Sequence, residues 1–108
     1  MSEIGSLRIV NSFTKPITIS VDPSTCHCCD HPIAGQIIGT LDPHQSTVFQ
    51  YARTDGHGCN GKQGQFVLVI NSTMTVGLNF DSNAVMSNPI SAGCNAGLSA
   101  VNVLTVSE

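Results

Sequence analysis

Strict alternation of apolar and polar residues runs through most of this chain, and a period of two puts every second side chain on one face of a sheet. Leu7 and Ile9 mark one face of a first strand, and Ile17, Ile19 and Val21 mark one face of a second, the two joined near Phe13-Thr14-Lys15. A third strand is expected over Gln36–Leu41 and a fourth over Ser46–Arg53, after the turn signal Asp42-Pro43-His44. Phe66, Leu68 and Ile70, then Met74, Val76, Leu78 and Phe80, form two more alternating faces around Asn71-Ser72. A last strand is expected over Leu98–Ser107. No window keeps a helical apolar period, and Gly or Pro interrupts the chain throughout. Seven to eight short strands with Gly, Pro and Asn turns predict an all-β fold, an antiparallel β-sandwich filling residues 1–108 as one domain.

Three connections are long for so small a domain: Pro23–Gly35, Thr54–Gly64 and Asp81–Gly97. None of the five cysteines lies outside the three loops, which read Cys26-His27-Cys28-Cys29-Asp30-His31, then His57-Gly58-Cys59, then Cys94. Function is commonly carried on loops, so this segregation marks the candidate site. Five is an odd number, so complete oxidation leaves at least one cysteine to pair with another molecule. A vicinal Cys28–Cys29 bridge has poor geometry. Cys59 and Cys94 are therefore candidate partners for the first loop, and a surplus thiol is a candidate intermolecular link. Cys26, Cys28, Cys29, Cys59 and Cys94 are accordingly taken as structural or intermolecular disulfide residues. The alternative is zinc: Cys26 and Cys29 have the spacing of a zinc knuckle, and His57 with Cys59 (or His31) would complete a tetrahedral set.

Composition narrows the function classes. Only 10% of residues are charged, against about 25% in ordinary domains. Four Lys and Arg (Arg8, Lys15, Arg53, Lys62) face seven acidic residues, for a net charge of −3, too little positive charge to neutralise several phosphates. Nucleic acid is excluded as a partner on that ground. The surface is covered instead by 12 Ser, 9 Thr and 8 Asn, and such a surface repels its own copies weakly. Protonating the four histidines would raise the charge by four, so neutrality falls near the pI of about 5.7. His27, His31 and His57 thus become candidate pH-responsive groups. No nucleophile–base motif, phosphate loop or carboxylate pair stands out, so no catalytic residue, resident metal or cofactor is assigned and the protein is not expected to be an enzyme. No apolar run is long enough to span a membrane, and Met1-Ser2-Glu3-Ile4-Gly5-Ser6 does not read as a signal peptide.

Leu7-Arg8-Ile9-Val10-Asn11-Ser12 followed by Ile17-Thr18-Ile19 resembles the first hairpin of aegerolysin-type β-sandwiches. Gly61-Lys62-Gln63-Gly64-Gln65-Phe66 and Leu78-Asn79-Phe80-Asp81-Ser82-Asn83 are similar to two further segments of that family. The resemblance implies an aegerolysin-like sandwich and, as an alternative function, a lipid-binding or pore-forming toxin component. In compact length, low charge and cysteine-rich loops the chain also resembles the octin-like vacuolar crystal proteins of fungi. That likeness implies a self-assembling structural protein whose partner is itself, in disulfide-stabilised oligomers or crystals that sediment in a vacuole and report gravity. Without that resemblance the expected location is the cytoplasm.

Overall fold

A computed structural model describes residues 3–24 and 26–108, so the first two residues of the N-terminal segment and Thr25 of the first loop lie outside it. The described residues form ten strands and no helix: β1 (Ile4–Asn11), β2 (Ile17–Val21), β3 (Cys29–His31), β4 (Ile37–Leu41), β5 (Ser46–Arg53), β6 (Gly64–Ile70), β7 (Met74–Phe80), β8 (Ile90–Ala92), β9 (Asn95–Ala100) and β10 (Val103–Ser107). They make two five-stranded sheets, ordered β3-β5-β1-β10-β9 and β4-β2-β6-β7-β8. Every pairing is antiparallel except β1 with β10. The arrangement is sandwich-like, because the inward residues of both sheets share one core.

The alternating faces fill that core. Leu7, Ile9, Ile17, Ile19, Val21, Phe66, Leu68, Ile70, Val76, Leu78 and Phe80 are all buried. Aromatic rings bridge the sheets: Phe49 meets Phe66 edge-on at 5.9 Å between centroids, and Tyr51 meets Phe80 at 4.9 Å. Gly5 is required beneath Tyr51, since a Cβ there would lie 2.4 Å from the ring.

The strand count exceeds the expected seven to eight for local reasons. The segment expected as one strand over Leu98–Ser107 folds back at Val101-Asn102, with Asn102 at φ 56°, a conformation Asn tolerates. What reads as continuous alternation is therefore the hairpin β9–β10. Strands β3 and β8 have three residues each, too few to show a period. The first hairpin is also corrected. β1 and β2 lie in different sheets, and the chain between them arches over the core with Asn11 and Phe13 buried. By contrast β6 and β7 do form a tight hairpin, with Asn71 at φ 52° and Ser72 at φ 61°, the double positive φ that suits strand twist.

Candidate functional site

Two of the three long loops meet at one end of the sandwich, and the third begins there before crossing to the other. The chain leaves β2 of the second sheet at Val21, and Asp22 turns it by accepting hydrogen bonds from the Ser24 backbone N–H (2.9 Å) and hydroxyl (2.8 Å). His27 then exchanges two backbone hydrogen bonds with Gln65 of β6. Two residues later β3 pairs with β5 of the first sheet. The loop thus crosses from one sheet to the other over the open end. Gly64 makes room for it: a Cβ there would lie 2.7 Å from the Phe80 ring and 3.0 Å from the Cys28 carbonyl.

Cys28 and Cys59 form a disulfide within the chain, closing a separation of 31 residues with Cα atoms 5.6 Å apart. The bond ties the β2–β3 crossing to the β5–β6 loop, where Cys59 is buried. Arg53, at the end of β5, is 8% exposed. Its guanidinium donates to the Lys62 carbonyl at 3.1 Å and to the Asp55 carboxylate at 3.2 Å. Thr54 donates its hydroxyl to Asp30 at 2.8 Å, which joins the two loops a second time.

Cys26, Cys29 and Cys94 are free thiols, each half-buried. Cys26 and Cys29 are hydrogen-bonded to one another, and the Cys29 sulfur lies 2.9 Å from the His31 carbonyl. Burial pushes the Cys29 thiol up to about 12, reinforced by the neighbouring Cys26 and Asp30 charges. Burial also raises Cys26 and Cys94. All three are therefore protonated at neutral pH and slow to exchange, because the thiolate is the reacting species.

The cysteines do not gather in one place. Cys94 sits in the β8–β9 turn, beside Asn95, whose pairing with Ser107 sets it at the opposite end from Cys28 and Cys59. Cys94 is consequently no partner for the first loop, and Cys59 takes that part. Because Cys59 is bonded to Cys28, it is unavailable as a thiolate to the zinc set of Cys26, Cys29, His57 and Cys59. Among the described residues no group of three or more His, Cys, Asp or Glu is placed to hold a metal ion. His27, His31, His44 and His57 are all exposed. His27 and His31 lie at the disulfide-linked end, His57 in the β5–β6 loop, and His44 in the β4–β5 turn at the other end.

A second feature emerges only once the sheets are assigned. The strands β4, β2, β6, β7 and β8 contain no Asp, Glu, Lys, Arg or His. Arg8, Asp30, His31 and Arg53, the ones that strands do carry, all lie in the first sheet. The outer face of the second sheet is therefore uncharged across all five strands. Composition shows the low total, and the strands expected over 17–21, 36–41, 66–70 and 74–80 already lack charge. Their membership of one sheet is what makes that a surface.

The chain matches no protein-family model, no curated protein and no solved structure. Among the described residues no helix is long and apolar enough to cross a membrane. Fold and site define the class as a two-sheet, sandwich-like β protein, stapled at one end and uncharged on one face.

Proposed function

We propose that this chain is a structural protein that assembles with copies of itself into ordered oligomers or a protein crystal. The observation that carries the reading is the uncharged outer face of the second sheet. Covering these strands desolvates no charged strand residue, so most of the penalty that usually opposes contact between charged surfaces is missing. A net charge of −3 leaves little long-range repulsion to overcome. Free thiols at both ends of a molecule 41 Å long give it two places to be riveted to neighbours. Each rivet joins two thiols from different copies, releasing two protons and two electrons to an oxidant such as a small-molecule disulfide. By its resemblances the brick is aegerolysin-like, and the assembly is a dense vacuolar crystal that sediments.

A second reading, a lipid-binding module, draws on a cleft of about 690 Å³ at the disulfide-linked end, rimmed by Ile4, Val85 and Val101. These three side chains are exposed and apolar. One experiment addresses both readings. Light scattering and non-reducing electrophoresis of oxidised protein are expected to show multimers that collapse with reductant. They should also shrink as the pH rises from about 5.5 to about 8, away from the sequence pI of about 5.7, as net negative charge returns. A species that stays monomeric at millimolar concentration under oxidising conditions at about pH 5.5 overturns self-assembly. Pelleting of that monomer with sphingolipid vesicles would then favour the second reading.

A further inference from the structure

We infer that the outer face of the second sheet is where two copies of this chain stack back to back, related by a two-fold axis running along β6. The inference rests on the self-assembly reading and adds to it a specific surface, partner and register.

Registers across the sheet define the face. One row runs from edge to edge as Ile37, Ser20, Val69, Thr75 and Ala92. The next row holds Val67, Gly77 and Ile90. Outward orientation follows from burial, since their alternate neighbours Ile19, Leu68, Ile70, Val76 and Leu78 point into the core. Thr18 and Thr40 share the same side, their hydroxyls 3.2 Å apart. Two ionisable residues continue the rows of this face beyond the named strands: Asp22, whose N–H bonds the Val67 carbonyl and whose carboxylate is turned onto Ser24, and His27, bridged to Gln65.

The partner is chosen by charge and shape. A partner bearing ions would have to strip them of water against strands that carry no counter-charge of their own, which is unfavourable. An equally uncharged face meets that condition, and this chain supplies one. The face is flat in the middle, where Gly77 has no side chain, and raised at opposite edges. Ile37 on β4 is 75% exposed, and Ile90 on β8 is 76% exposed. A two-fold axis along the central strand lays β4 of one copy over β8 of its partner, so each Ile37 falls on the small Ala92 across the interface. Such a contact is isologous and closes on itself.

Area sets its strength. Five strands about 4.8 Å apart and three to seven residues long, at about 3.3 Å per residue, outline roughly 430 Å² per copy. Doubled, that falls short of the ~1,200 Å² at which specific interfaces begin, so the pair forms at high concentration and is one contact among several.

The test uses the full chain under mild reductant, so that intermolecular disulfides take no part, in sedimentation velocity over a concentration series. Wild type is expected to shift from monomer to dimer as concentration rises. Ile37→Lys and Val69→Lys each place an unpaired charge in the contact and should weaken dimerisation at least about tenfold. Val48→Lys, on the exposed outer face of the first sheet, should leave it unchanged. Adding Ala92→Glu to Ile37→Lys should restore association by pairing the two charges across the interface. All these side chains point outward, and circular dichroism verifies that each variant is folded. If the second-sheet variants dimerise like wild type, or Val48→Lys abolishes dimers, the assigned face is wrong while self-association stands. A double variant that stays monomeric overturns the axis along β6. Wild type that never associates, reduced or oxidised, removes the self-assembly reading itself.

Discussion

The two ends of this sandwich are closed by different means. At one end the connections are short and are stitched by the side chains of the turns. Asn11, fully buried, accepts from the Phe13 N–H at 2.8 Å and donates to the Leu41 carbonyl at 3.0 Å and the Lys15 carbonyl at 3.1 Å. Asn71 accepts from the Thr18 N–H at 2.9 Å, and Gln45 from the Asp42 N–H at 2.9 Å. At the other end the connections are long apart from the β9–β10 turn, and side-chain bonds such as Thr54 to Asp30 join them only in part. There the chain uses a covalent bond, Cys28–Cys59, with Arg53 gripping the base of the β5–β6 loop. A short turn can satisfy its own backbone, whereas a long loop has more entropy to lose and needs a tether from elsewhere in the fold.

Removing the tether should break this contrast most visibly. Replacing Cys28 and Cys59 together by Ser frees a closed loop of 31 residues, an expected loss of about 3–4 kcal/mol in urea unfolding. The finer expectation is local. Hydrogen exchange should accelerate at residues 54–63 and at His27, while the Asn71-Ser72 turn keeps its protection. Equal acceleration at both ends would show that the molecule is closed as one unit and that the division is false.

Asn11→Ala attacks the opposite end. It strands the Phe13 N–H and leaves the Leu41 carbonyl without its side-chain donor in a fully buried site, for an expected loss of about 2–3 kcal/mol. Protection should now fall over residues 11–17 and 41–45 and hold at the disulfide-linked loops. Chemical denaturation with residue-resolved exchange checks both points. An unchanged midpoint would mean that the turn residues, and not Asn11, set this arch.

How far these ends could be read from sequence follows from their physics. The strands facing the core were legible because burial on one side writes a period of two, as at Phe66, Leu68 and Ile70. The turn at Asn71-Ser72 was legible from residue type. The sheet to which β2 belongs was not, because the same alternation serves a hairpin and a crossing arch alike; the buried Asn11 decides it through bonds to residues 4 and 30 positions away. The Cys28–Cys59 pairing was equally hidden. Spacing marks cysteines as candidates, but only the β2–β3 crossing and its close approach to Gly64 bring these two together, while the β8–β9 turn sets Cys94 at the far end. The uncharged face follows the same logic, since absence of charge becomes a surface only after strands distant in sequence are set side by side.

The smallest expected effect lies at the turn-closed end, where Glu108 adds an ionic stitch. Its carboxylate accepts from the Thr14 hydroxyl at 2.7 Å and from the Thr14 N–H at 2.8 Å. These bonds, side chain first, hold its carboxyl below the usual value, with Lys15 assisting. A carboxyl depressed by folding contributes stability at pH values above its unfolded pKa and loses that contribution as the pH falls through its folded value. The group is exposed, so solvent keeps the effect modest. Glu108→Gln retains an acceptor without the charge. Its melting temperature should lie slightly below wild type at neutral pH, and the two curves should converge as the pH falls through the lowered folded-state value, where the wild-type carboxyl also becomes neutral. Cys28→Ser/Cys59→Ser should lower the melting temperature by a similar amount across the same range, because nothing titrates in a disulfide. If the Glu108→Gln difference stayed constant with pH, the charge of Glu108 would play no part in holding Thr14, and both ends would be closed without help from a carboxylate.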